Sequence, residues 1–171
     1  MRFHIYWNSY TMFKGAWAME GTAKWAEYVI GAGTRGTNAD IPLPSTMAQM
    51  DEVFAHSLPM WFWDRLILLV DASPDSIIHL PPSVAGLTYV DGTPIMKDNK
   101  FRGAALIKAY LQALDAEDDV VTAVNGLAQY RWAESYQSNP IHRPRMLKAL
   151  QRAVRNTGAT GAEIDAFLAI Q

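Results

Sequence analysis

Cysteine is missing from all 171 residues. Its absence removes disulfides, thiolate metal sites and cysteine nucleophiles from consideration. Net charge is almost missing too: 15 Lys and Arg against 17 Asp and Glu leave −2, too little to draw a strongly acidic or basic partner by itself. No apolar run reaches the roughly 20 residues that a bilayer span requires. The greasiest stretch, Leu58 to Val70, is broken by Asp64-Arg65. Met1-Arg2-Phe3 does not lead into the apolar run of about 7–15 residues that a signal peptide needs, so export by one, or a membrane partner, is not expected.

What is present is ordinary globular material. Half the residues are apolar and 19% are charged, which argues against disorder, and the length suits a single domain over 1–171. Charge is uneven along it. Met1 to Met96 holds five basic and nine acidic residues, whereas Lys97 to Gln171 holds ten and eight.

Local signals divide the chain into a β-rich part, 1–96, and a helical part, 97–171. Phe3, Ile5 and Trp7 alternate as in a strand. Trp17, Trp25, Tyr28 and Val29 fit a helix over 16–30 that Gly21 weakens. Thr46-Met47-Ala48-Gln49 has the form of a capping box opening a helix with Met47, Met50, Val53 and Phe54 inward. Leu66 to Val70 reads as a buried strand and Ser76 to Leu80 as another. Leu87 to Val90 and Thr93 to Met96 flank Asp91-Gly92, a hairpin signal that predicts a type I′ turn over 87–96. Behind it come four helices: one from Asp98 or Asn99 to Leu114, one capped by Asp115 and reaching Trp132, one opened by Pro144 and ended before Gly158, and a short one from a Thr160–Glu163 capping box. The expected fold class is α+β: an aromatic, β-rich N-terminal half followed by a C-terminal bundle of about four helices.

Motifs that carry chemistry are scarce. Gly31 to Gly36 satisfies G-x-G-x-x-G, with Asp51 and Glu52 downstream, but Pro42 and Pro44 follow and no helix is expected before Thr46. A dinucleotide loop needs that helix at once, so an ordinary loop is expected. His4, His56, His79 and His142 show no metal-ligand or phosphoesterase spacing. Asp115, Glu117, Asp118 and Asp119 lack the spacing and glycine of a calcium loop and read as charge at a helix N-terminus. Neither a metal, a cofactor nor a set of catalytic residues is expected.

Two surface features remain. Arg143, Arg145, Lys148, Arg152 and Arg155 form a basic row on the helix over 143–155, in a stretch between Ser135 and Ala162 that has no acidic residue. Such a row matches phosphates or a neighbouring subunit. The helix after it carries Glu163 and Asp165, which oppose insertion into a nucleic-acid groove. Trp7, Trp17, Trp25, Trp61 and Trp63 crowd the first 63 residues. Most suit a core, and one or two suit a contact surface, where tryptophan is a favoured anchor.

Ile77-Ile78-His79-Leu80-Pro81-Pro82-Ser83-Val84-Ala85-Gly86-Leu87-Thr88-Tyr89-Val90-Asp91-Gly92-Thr93-Pro94-Ile95 resembles a stretch of tailed-phage head–tail adaptor and tail-tubular connector proteins. There a strand ends in Leu-Pro, a Val follows, and a hairpin carries a Gly-x-Pro-like turn. The resemblance implies a small β-rich part joined to several helices, with copies forming a ring between portal and tail. The leading expectation is therefore a non-enzymatic structural protein, homo-oligomeric and partnered by other particle proteins, found in a virion or in host cytoplasm. The alternatives are a nucleic-acid-binding or host-targeting protein that uses helix 143–155, and an enzyme built from His and carboxylates distant in sequence.

Overall fold

A computed structural model describes residues 2–30, 40–71 and 77–171, with the side chains of Arg2 and Phe3 left aside. The expected β-rich front is not there. Arg2–Asn8 is a helix, α1, followed by α2 (Ala16–Ile30), α3 (Met47–Ala55) and α4 (Met60–Val70). The described strands are β1 (Ile78–His79) and β2 (Lys100–Phe101), an antiparallel pair of two residues each. Between them lies a one-turn helix, α5 (Pro82–Ala85). The back half holds α6 (Ala104–Val124), α7 (Glu134–Gln137), α8 (Arg143–Asn156) and α9 (Ala162–Leu168). The fold is mostly helical.

Each misread element has a physical cause. In α1, His4 and Trp7 lie one helical turn apart and both find partners: His4 Nε2 sits 3.1 Å from Glu20, and the Trp7 indole donates to the Phe13 carbonyl at 2.8 Å. Over six residues, period-two alternation and a helical i, i+3 pattern overlap, and tertiary partners settle the choice. In α4 the window that matters starts at Met60, not Leu66. Met60, Phe62, Trp63, Leu66, Ile67 and Val70 are all buried, and their spacing is that of an inward helix face.

Asp115 caps nothing. It lies inside α6, which runs unbroken because no Gly or Pro falls between Gly103 and Gly126. The helix ends in a Schellman motif: Leu127 N–H bonds the Thr122 carbonyl, Gly126 N–H bonds that of Ala123, and Gly126 takes φ of 61°. Trp132 therefore lies beyond the helix, buried, with its indole donating to Thr122 Oγ1 at 3.0 Å.

Other signals hold locally. Thr46 Oγ1 accepts from Gln49 N–H, although Gln49 reaches back to the Ser45 amide and not to that of Thr46. Pro144 sits in the first turn of α8, and Gly158, at φ 72°, follows its end. The Thr160–Glu163 box does not form: Gly161 precedes α9 without a side-chain cap. Glu163 is drawn away by Arg65, whose Nε donates to it at 2.8 Å, and by the Leu43 amide at 2.6 Å.

One continuous apolar core joins Trp7 near the start to Ile170 near the end, so no seam separates 1–96 from 97–171. α8 packs chiefly on α6. Gln151 ties α9 down, its amide nitrogen donating to the Phe167 and Ile170 carbonyls at 3.0 Å each.

Candidate functional site

The segment 77–99 differs from everything around it: none of its residues is buried. Pro81-Pro82 ends β1 and opens α5. A hairpin then turns on Val90-Asp91-Gly92. Tyr89 N–H bonds the Thr93 carbonyl at 2.8 Å and Gly92 N–H bonds the Tyr89 carbonyl at 3.0 Å. Only Gly92 has positive φ, 84°, so this is a three-residue loop closed by a left-handed glycine, not the expected two-residue type I′ turn. Asp91 Oδ1 accepts from Thr93 N–H at 2.9 Å, and the Thr93 amide and hydroxyl hold its carboxyl below the usual range. The ladder is a single bridge, Thr88 to Pro94, extended by Ile95 N–H to the Leu87 carbonyl.

This arm is joined to the body at its base, through the β1–β2 pair and through Lys97 N–H to the Ile30 carbonyl at 3.1 Å. Its apolar side chains find no core. Leu87 is 49% exposed, Tyr89 59%, and Val90 is fully open to solvent. An isolated two-stranded hairpin is marginal in water; here it is also greasy.

Beside the arm's base, α2, α4 and β2 enclose a cleft of about 150 Å³. Its apolar lining comes from Trp25, Tyr28, Val29, Ile67 and Leu68, and its charged lining from Asp64, Lys97, Asp98, Lys100 and Arg102. The floor is fixed from behind: Trp25 stacks on Phe101 at 5.5 Å between centroids and donates its indole N–H to the Arg102 carbonyl at 3.0 Å. Gly103, at φ 75°, brings the chain close beneath Trp25 and Ile67, and its amide bonds Asp71. Asp98 Oδ1 is engaged by the Lys100 amide at 2.7 Å.

Of the tryptophans singled out by sequence, Trp7, Trp17, Trp25 and Trp63 are buried, and Trp61 alone keeps partial exposure. Trp17 and Trp63 stack at 5.9 Å and 13°, and Trp7 and Trp63 both approach Tyr110 at 6.0 Å. Four of the five thus build the core; exposed apolar residues occur along the chain, among them Ile5, Leu58, Val124 and Ile141, and on the arm Leu87, Tyr89 and Val90 fall within four consecutive positions.

The basic row is also spoken for in part. Glu117 of α6 takes Arg152 at 2.8 Å and Arg145 at 3.2 Å. Arg143 lies over the Phe54 ring at 5.6 Å. Arg155 donates to the Leu168 carbonyl at 3.0 Å, where a cation favours a helix end. Lys148 is exposed. Two neighbours of Glu117 in the acidic cluster have structural duties as well: Asp118 is buried and accepts from the Met12 amide at 2.7 Å, and Asp119 accepts from Gln129. The cluster lies in the later half of α6, so the expected role at a helix N-terminus is replaced by contacts to other segments.

His56 and His79 are exposed, and His4 pairs with Glu20. His142 is buried among Phe13, Trp132 and Tyr136, and its Nε2–H donates to the Tyr136 carbonyl at 2.8 Å. Burial pushes this imidazole below its ordinary value, so it is a neutral core group. Among the described residues no three His, Asp or Glu cluster as metal ligands would, and no helix is long and apolar enough to cross a membrane. The Gly31–Gly36 motif lies outside the described residues.

Sequence reasoning missed the cleft. Its cations Lys97, Lys100 and Arg102 follow the hairpin within six residues, but Tyr28 and Leu68 come from helices read as ambiguous or as strand. Comparison with family models, with curated proteins and with solved structures finds no match for this chain.

Proposed function

We propose that this protein is a non-enzymatic assembly component that joins other copies of itself, and other particle proteins, through the arm at 77–99. One observation supports the reading above others: the arm buries no residue of its own yet presents Leu87, Tyr89 and Val90 to water. Exposed apolar side chains gathered on one short segment suit a contact site, and a hairpin this short gains little from its own packing. Burying a fully exposed side chain of this kind is worth about 1.5–3 kcal/mol before the cost of association; Val90 offers the whole of it, and Leu87 and Tyr89, half covered already, about half each. The resemblance of Ile77–Ile95 to phage connector proteins falls on this same arm, and it supplies the proposed setting, a tailed-phage or similar particle.

The nucleic-acid reading of α8 has less support, since Glu117 engages both Arg145 and Arg152 and offsets one of their two charges. Sedimentation velocity of the wild-type chain and a Leu87→Ser/Tyr89→Ser variant tests the proposal. The wild type is expected to sediment as a multimer and the variant as a 19.1 kDa monomer. Equal distributions for the two proteins would overturn the assignment of assembly to the arm.

A further inference from the structure

We infer that the tip of the arm docks in the cleft of a second copy of the chain, with Val90 entering between Tyr28 and Leu68 and Asp91 facing the cations Lys97, Lys100 and Arg102. This rests on the assembly reading above and specifies its partner surface. Three observations carry it. The cleft, at about 150 Å³, falls below the roughly 300–1,000 Å³ of small-molecule sites; a cavity of that size holds a single ring or one aliphatic side chain. The arm tip offers such a group, since Val90 stands fully in solvent at the turn. Charge agrees as well. Asp91 is the one formal charge between Leu80 and Met96, while the cleft lining carries three cations against two carboxylates.

The tip and the cleft are different surfaces, so the contact is reciprocal in a two-fold dimer or heterologous in a head-to-tail array. Each copy gives an arm and receives one, and repetition makes a ring where the rotation closes and a filament where it does not. An isologous arm-to-arm contact would instead bring two Asp91 carboxylates together.

The absence of native cysteine makes the test clean. Val90→Cys chains and Leu68→Cys chains, both changed at exposed positions, are mixed with diamide as oxidant. Disulfide closure needs Cα atoms within about 4.4–6.8 Å. The mixed Val90→Cys/Leu68→Cys dimer is expected to form several-fold faster than either like pair, and adding Asp91→Lys to the arm-bearing chain is expected to slow it several-fold at low salt. Dominance of the Val90→Cys like pair would replace the proposal with an arm-to-arm contact. A multimeric wild type with no cross-link at all would overturn the arm–cleft contact while leaving assembly standing. A monomeric wild type at every concentration would overturn both.

Discussion

The indole N–H of Trp63 donates to the main-chain carbonyl of Trp17 at 3.1 Å, and the two rings stack 5.9 Å apart. The contact joins α4 to α2 directly over Gly21. A Cβ built on Gly21 would lie 2.2 Å from Trp63 Nε1, so the residue that weakens α2 as a sequence signal is the one that lets Trp63 reach its acceptor.

Gly21→Ala should therefore destabilise the protein. Helix propensity favours alanine by about 1 kcal/mol, but the rigid indole cannot yield without leaving its hydrogen bond, and overpacking of this kind costs about 1–3 kcal/mol. With the lost hydrogen bond worth about 1 kcal/mol, the expected net loss is about 1–3 kcal/mol, read as a lowered urea midpoint with unchanged slope. An unchanged or raised midpoint would contradict the close packing of α2 on α4.

Two buried or partly buried carboxylates should give opposite pH signatures. Arg65 holds Glu163 below the usual carboxylate range, helped by the Leu43 amide. Its contribution is present above the unfolded value near 4.3 and fades as pH falls through the folded one. Glu163→Gln should cost about 1 kcal/mol at neutral pH, a modest figure because the pair is partly exposed, and the gap to wild type should narrow below about pH 4. Burial instead raises Asp118, against the opposing Thr11 and Met12 hydrogen bonds. The folded state then holds that proton more tightly, so stability from this group is lost as pH rises through its folded value. Asp118→Asn should gain on wild type across that rise. Urea unfolding from about pH 3 to 7 checks both, and parallel curves for the three proteins would contradict both assignments.

Glu117 is expected to keep the basic row from acting as a phosphate surface. Glu117→Gln would free Arg145 and Arg152 beside Lys148, and retention on a nucleic-acid column at low salt should rise and fall again with added salt. Wild type should elute early. Strong, salt-sensitive retention of the wild type would favour the nucleic-acid reading of α8 over the one adopted above.

Legibility followed the range of the interactions involved. Elements set by their own punctuation were readable: Thr46 opening α3, Pro144 and Gly158 bounding α8, Asp91-Gly92 marking a turn. Elements decided by distant partners were not. Nothing near Trp7 tells that Phe13 will accept its indole proton, and Leu66 to Val70 alone cannot show that Met60 and Trp63 continue the same face. Glu163 was misassigned because its partner, Arg65, lies 98 residues away. The cleft gathers residues from Trp25 to Arg102 and has no local signature at all. The arm was visible as a segment, but its lack of buried residues belongs to the tertiary structure.

Absolute mass in solution, by light scattering at two salt concentrations and across a dilution series, tests the assembly account most directly. A discrete multimer of the 19.1 kDa chain, or rings and tubes built from it, is the result the account requires. A 19.1 kDa monomer at every concentration would contradict it.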